Sequence, residues 1–223
     1  MDIGYFYVSR EQELLGMEPV KIGLEHPKWK KCPAIMDSVK NAFVIRAPIG
    51  FTLYFEGIDD NGNPLVRRDP SSEMRNEVFN EFIDIKPKEA GSKQDGPLLQ
   101  LTSGVGFTAN EPVIMETFPP FLEYRPDFPA INTVVKYNIY NWLRGLPVGV
   151  LWKDLTKPIV VKRGDPLCYV RFETDKNVNL KRIPMTDEML HTIHANLNMK
   201  NFMTGHSRYL MEKAGLLRHK NWF

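Results

Sequence analysis

The sequence predicts a mainly β protein, a β-sandwich or a distorted barrel, with two short α-helices at its C-terminal end. About ten short runs of β-branched and aromatic residues are separated by Gly, Pro and Asn-Gly turn signals, which is typical of sandwiches and barrels. These runs do not alternate with helical stretches, as they would in a parallel α/β fold. After Pro184 the apolar residues recur at helical spacing. We therefore expect a β-rich domain over residues 1–184 and a helical extension over 185–223 packed on it.

The N-terminal half predicts an aromatic strand and two strands that meet at a corner. Residues 3–7 (IGYFY) form the first apolar run, and residues 42–47 and 51–55 form the other two. Residues 48–50, Pro-Ile-Gly, predict the corner between the last two strands. The pair Asn61-Gly62 predicts a tight hairpin turn, because both residue types tolerate positive φ.

The second part of the β region predicts further strands and one irregular linker. Residues 159–172 (IVVKRGDPLCYVRF) predict a strand, a tight turn at Gly164-Asp165 and a second strand. Residues 118–129 contain too many prolines for a regular element, so we expect their aromatic residues to pack them onto the sheet. Residues 102–106 (TSGVG) predict a turn rather than a phosphate-binding loop, because neither a lysine nor a helix follows them.

The C-terminal residues predict two amphipathic helices. The first begins at a cap on Thr186 or Asp187 and places Met189 and Ile193 on its apolar side. The second covers about residues 201–214 and ends at Gly215. Helices of this length are marginal in water, so we expect them to pack on their own domain or on another copy of the chain.

Composition narrows the classes of partner. The 29 basic and 27 acidic residues give a net charge of +2, which argues against a nucleic-acid binder that depends on phosphate contacts. The apolar runs are much shorter than the ~20 residues of a membrane-spanning helix, so we expect no membrane partner. Cys32 and Cys168 lie far apart and outside any CxxC pair, which favours free thiols and a cytoplasmic location.

Two histidines are the candidate metal ligands. His191 and His194 lie one turn apart on the first predicted helix, a spacing that can bind a metal. No HExxH signature accompanies them, and the β region between residues 35 and 180 contains no histidine. We therefore expect no metal and no cofactor.

Other candidate site residues are charged or aromatic. Arg46 and Glu116 lie inside apolar strands, where a charge either faces solvent or is paired, and Asp165 lies in the Gly-Asp turn. Tyr140 and Trp142 belong to a run of aromatic and amide residues that could stack on a sugar or a base, with core packing as the alternative. No GxSxG motif is present, and whether the protein is an enzyme stays open.

Three segments together carry a resemblance: residues 42–55, 138–152 and 159–172. The matching residues are Phe43, Arg46, Pro48, Gly50, Lys162, Gly164, Asp165 and Pro166. Together they resemble an uncharacterised family of β-rich proteins of comparable length from tailed bacteriophages and some bacteria, over about residues 30–175. The resemblance implies a phage-encoded β-rich protein and implies no activity, because none is established for the family.

These observations lead to two hypotheses of different kinds. The first is a phage-encoded, non-enzymatic protein that acts by binding another protein or itself, in the virion or in the host cytoplasm. The alternative is an enzyme with a cryptic site in the sandwich or barrel, metal-dependent or nucleotide-related. Convergence of Arg46, Glu116, Asp165 and a histidine in one pocket would favour the enzyme, and dispersal would favour binding.

Overall fold

The computed structural model describes residues 1–23, 31–74, 79, 82–86, 96–123, 125, 128–140 and 143–202. These residues form the helices α1 (Arg10–Leu15), α2 (Pro33–Val39) and α3 (Asp187–Phe202). They also form fourteen strands: β1 (Asp2–Tyr7), β2 (Val20–Lys21), β3 (Ala42–Arg46), β4 (Phe51–Ile58), β5 (Pro64–Arg68), β6 (Ile83–Lys86), β7 (Leu98–Ala109), β8 (Ile114–Phe118), β9 (Ala130–Asn132), β10 (Val135–Asn138), β11 (Gly145–Trp152), β12 (Ile159–Val161), β13 (Pro166–Glu173) and β14 (Asn179–Arg182).

The protein is mainly β, as the sequence predicts, and its strands form three sheets. Sheet A has the order β14-β1-β7-β11-β9, with β6 also paired to β7, sheet B has the order β10-β8-β13-β3-β2, and sheet C has the order β12-β4-β5. Neighbouring strands are antiparallel, except that β1 and β14 are parallel. Each sheet is open at both ends among the described strands, so the prediction of a barrel is wrong.

The long strand β7 corrects the turn predicted at residues 102–106. β7 pairs with β6 at Leu98–Leu101 and with β1 at Val105–Ala109, so residues 102–106 lie inside a strand. Between the two pairings Gly104 has φ +78°, and the register with β11 shifts between Gly145 and Pro147. The glycine therefore marks a β-bulge rather than a chain reversal.

Two chain segments cross together from sheet B to sheet C. β3 pairs with β13 in sheet B, and β4 pairs with β12 in sheet C. Between these pairs the Ala47 N–H donates to Asp165 O (2.8 Å) and the Gly164 N–H donates to Ala47 O (2.9 Å). We call residues 47–50 and 162–165 the double corner. The predicted Pro-Gly corner is confirmed, but β12 and β13 do not form a hairpin, because they enter different sheets.

The hairpin predicted at Asn61-Gly62 joins β4 to β5. Gly62 has φ +82°, and the Asp59 carboxylate accepts hydrogen bonds from the backbone N–H groups of Asn61 (2.9 Å) and Asn63 (2.7 Å). The carboxylate therefore satisfies donors that the tight turn leaves outside the ladder, as is usual for Asp in turns.

The main core lies between sheet A and the other two sheets. Phe107 of sheet A packs edge-on against Phe172 of sheet B, with ring centres 5.5 Å apart, and Trp152 of sheet A packs against Phe55 of sheet C at 6.2 Å. Cys168 is fully buried in this core, and burial raises the pKa of its thiol to about 12. Cys168 and the partly exposed Cys32 are both free, as predicted.

α3 covers the outer face of β1. The Thr186 hydroxyl accepts a hydrogen bond from Met189 N (3.2 Å), which confirms the predicted cap. Met189 and Ile193 are buried with Phe6, which points away from the main core. A Cβ on Gly106 would lie 2.3 Å from the Phe6 ring, so this glycine makes room for it.

The prediction of two helices is not confirmed. α3 continues to Phe202, because no Gly or Pro interrupts residues 187–202, and it runs through the start of the predicted second helix. The rest of that predicted helix lies outside the described residues. Among the described helices, none has the length and apolar character needed to cross a membrane.

We expect Ile193→Asp to destabilise the protein by about 2–4 kcal/mol, because it buries an unpaired charge between α3 and Phe6. His194→Asp changes the neighbouring exposed residue of the same helix and should cost less than about 0.5 kcal/mol. Urea unfolding of both variants measures the difference. Equal stabilities would show that α3 contributes nothing to the fold.

We expect stability to fall as the pH rises from about 9 towards 12, partly through Cys168. An unfolded thiol ionises near pH 8.5, whereas the folded thiol stays protonated up to its pKa of about 12. The contribution is therefore complete below the unfolded pKa and is lost above it, by up to about 1.4 kcal/mol per pH unit. Thermal unfolding from pH 7.5 to 11 should show a shallower decline in Cys168→Ala than in Cys32→Ala, and identical slopes would contradict the assignment.

Candidate functional site

Arg46 and Asp165 lie together at the double corner, and each binds a residue of the linker between β8 and β9. Arg46 Nη1 and Nη2 contact the Glu123 carboxylate at 3.0 and 3.2 Å, and Nη1 also donates to Gly164 O at 3.0 Å. Arg125 Nη1 lies 2.7 Å from Asp165 Oδ2. We call residues 119–123 of this linker, together with Arg125 and Phe128, the roof segment. Two ion pairs therefore attach it to the corner.

Glu116 belongs to a separate ion-pair group. Its carboxylate contacts Arg171, the residue opposite it on β13, and Lys136 Nζ at 3.4 Å. Arg171 pairs in turn with Ala42, four residues along β3 from Arg46, which is roughly 13 Å. The structure therefore does not bring Arg46 and Glu116 together. Neither is simply solvent-facing, because each is paired and only 12% of the Glu116 side chain is exposed.

The remaining sequence candidates lie elsewhere. His191 and His194 are exposed on α3, and within the described ranges no three His, Cys, Asp or Glu side chains group in a way that could hold a metal ion. Tyr140 is half-buried and forms an isolated parallel bridge with Ala109. Trp142 lies outside the described residues. The prediction that Tyr140 and Trp142 stack together on a ligand is therefore not tested, since the structure describes Tyr140 alone.

Aromatic packing provides the third attachment of the roof segment. The Phe121 ring stacks on Phe118 at 6.0 Å, and both rings meet the buried Tyr169 edge-on, at 5.6 and 5.7 Å. Burial and the nearby Glu123 carboxylate raise the pKa of Tyr169 to about 12, so its phenol is neutral at physiological pH. The sequence prediction that aromatic residues pack this linker onto a sheet is confirmed for its described part.

Arg125 joins three separate features. Its guanidinium binds Asp165, lies 4.5 Å above the centre of the Phe128 ring, and donates through Nη2 to Val160 O on β12. β12 is an edge strand of sheet C, and a side chain that occupies an edge carbonyl blocks pairing with another chain there. The two terminal nitrogens of the planar guanidinium donate to these two acceptors separately.

An apolar cavity of about 230 Å³ lies under the roof segment. All three sheets contribute buried apolar side chains to its walls: Leu99, Leu101, Ala130 and Val150 from sheet A, Leu167 from sheet B, and Phe51, Ile159 and Val161 from sheet C. Its mouth is also apolar, since Phe121 is 43% exposed and Ile131 is 54% exposed. The cavity is therefore open to solvent although its walls belong to the core.

Sequence reasoning missed Glu123 and Arg125. Both lie in a linker whose composition directs attention to its prolines and aromatics. A usable signal was present, because opposite charges two residues apart in an otherwise apolar segment suggest two nearby partners of opposite sign. Arg46 and Asp165 are those partners.

Neither a protein-family model nor a curated protein matches the sequence. The resemblance of the corner residues to a phage family therefore stays a prediction.

We expect Arg125→Ala to loosen the roof segment and to lower stability by about 1–2 kcal/mol, because it removes an ion pair and a hydrogen bond to an edge carbonyl. Arg125→Lys should recover less than half of this loss, because an ammonium group lacks the planar fork that binds both acceptors and lies over the Phe128 ring. Arg182→Ala is the matched control, since Arg182 pairs with Glu13 and lies over the Tyr7 ring away from the roof.

Thermal unfolding and the rate of chymotryptic cleavage after Phe121 measure the two effects. Faster cleavage in both Arg125 variants, and not in Arg182→Ala, is the expected result. Equal cleavage rates in all four proteins would show that Arg125 does not hold the roof segment.

Proposed function

We propose that this protein is a non-enzymatic β-sandwich that binds another protein through the surface around the cavity mouth. The observation that carries the proposal is an apolar cavity whose mouth is surrounded by exposed apolar side chains, with its charged neighbours already paired. Interfaces are typically built in this way, with buried apolar anchors at the centre and satisfied polar groups at the rim.

The state of the charged candidates supports binding over catalysis. Arg46 and Asp165, two of the three candidate catalytic residues, hold the roof segment through Glu123 and Arg125. A catalytic acid, base or electrophile has to present an available atom to the substrate. Glu116 lies in another ion-pair group. Arg46 and Asp165 therefore hold the surface in place and do not present free atoms to a substrate.

The extent of the apolar surface supports a macromolecular partner. A small molecule inside the cavity would leave most of Phe121 and Ile131 in water, whereas a partner segment lying across the mouth would cover both. Exposed aromatic and aliphatic side chains beside a pocket are the usual place for the residues that dominate binding energy. The phage resemblance adds the proposal that the partner is a virion or host protein, with a second copy of this chain as the alternative.

We expect a random peptide library, displayed on particles and selected against the immobilised full-length protein, to yield binders that require Ile131. Ile131→Asp places a charge at the cavity mouth and should weaken the selected peptides at least tenfold, because a desolvated unpaired charge opposes binding. Fluorescence polarisation with labelled synthetic peptides measures the affinities.

Val134→Asp is the matched control. Val134 is 57% exposed and lies three residues from Ile131, but it does not line the cavity. Its variant should bind the peptides as the wild type does. A selection that yields no binder above background, or binders that ignore Ile131→Asp, would overturn the proposal. Peptides that bind only when they copy this chain would point to self-association.

A further inference from the structure

The three polar side chains that line the cavity among the described residues each form at least one contact within the protein. The Glu123 carboxylate binds Arg46, the Arg125 guanidinium binds Asp165 and Val160 O, and the Asn132 side-chain amide donates to Leu167 O. Tyr169, behind Glu123, directs its hydroxyl to the same carboxylate at 3.5 Å. A polar group entering the cavity would lose part of its hydration and would meet apolar walls and polar side chains that are already engaged.

The size of the cavity limits what can enter. An apolar cavity of ~150 Å³ holds benzene in a well-studied case, and this cavity is about 230 Å³. It therefore has room for one ring or one branched chain with a few further carbon atoms. Two side chains, or a folded segment, would not fit.

We infer that the cavity receives one uncharged hydrocarbon side chain of the partner, of leucine, methionine or phenylalanine size, and discriminates against side chains of the same shape that end in a polar group. The inference rests on the proposed function, which supplies the partner. The polypeptide that carries this side chain lies across Phe121 and Ile131 at the mouth. Because the rim ion pairs Arg46–Glu123 and Arg125–Asp165 are each neutral, the side chain rather than rim charge selects the partner.

The first test uses side-chain analogues, so it does not depend on a known partner. Toluene and p-cresol have the shapes of the phenylalanine and tyrosine side chains, and calorimetric titration of the full-length protein compares them. We expect saturable binding of toluene and about 10- to 100-fold weaker binding of p-cresol, the usual discrimination of an apolar pocket against an added hydroxyl. Equal affinities, or no toluene binding, would overturn the inference.

Two variants locate the binding. Ala130→Leu adds apolar volume at a wall residue and should abolish toluene binding without lowering the thermal midpoint, because it fills a void. Ile131→Trp changes an exposed residue and should block the mouth of the cavity. Because it leaves the core unchanged, it tests the same site even where Ala130→Leu strains the core. Val134→Trp is the control for an added exposed ring, and toluene should still bind it. Undiminished toluene binding to both Ala130→Leu and Ile131→Trp would place toluene elsewhere and overturn the inference.

The second test uses the tightest peptide from the selection above. Replacing its anchor Leu by Asn, or its anchor Phe by Tyr, should weaken binding by about 10- to 100-fold, and Ala130→Leu should weaken the unaltered peptide at least as much. If the peptide requires Ile131 but tolerates these changes, the proposed function stands and the inference about the side chain fails. If toluene binds and no peptide is found, the cavity is a small-molecule site. The proposed function and the inference about the partner side chain then both fail.

Discussion

At Ala47 the backbone exchanges two hydrogen bonds with the turn after β12, and the arrangement of the proposed binding surface depends on that exchange. Because the Ala47 N–H and C=O bond to Asp165 and Gly164, the β3–β13 pair of sheet B continues directly into the β4–β12 pair of sheet C. Gly164 makes the turn at φ +87°, in the left-handed region that favours glycine. The exchange places Arg46 at the end of β3 beside Asp165, where both can meet one crossing segment.

The roof segment depends on side-chain attachment because its composition prevents a continuous ladder of backbone hydrogen bonds. Prolines remove backbone donors and the segment contributes only a three-residue 3-10 turn, Phe121–Glu123, so no ladder of backbone hydrogen bonds can hold it. The double corner supplies Arg46 and Asp165, and the roof segment supplies their oppositely charged partners Glu123 and Arg125. The ion pairs and the aromatic packing of Phe121 on Tyr169 hold the segment at separate points. Because the roof segment is attached at separate points and not along its whole length, a cavity remains beneath it.

Local sequence patterns predicted the features that depend on local physics. The strand over 51–55, the Asn61-Gly62 turn and the Thr186 cap follow from alternation, backbone preference and side-chain capping. Apart from the boundary between the two predicted C-terminal helices, the failures involve long-range pairing. The local pattern of β12 and β13 is that of a hairpin, but β12 pairs with β4 and β13 pairs with β3, in different sheets. Arg46 finds Glu123 at a separation of 77 residues, which no periodicity encodes.

The cavity lowers the stability of the free protein, and this is the strongest physical reason to assign it a role. Core truncations lose about 24 cal/mol per Å³ of void, so a closed cavity of about 230 Å³ would cost roughly 5 kcal/mol, on the order of the whole stability of a small domain. Water that enters through the mouth reduces this cost. The exposed apolar side chains of Phe121 and Ile131 increase it, because their contact with water is also unfavourable. A larger residue in place of Ala130 would remove much of the void. A bound hydrocarbon group would remove the void and cover both exposed side chains at once.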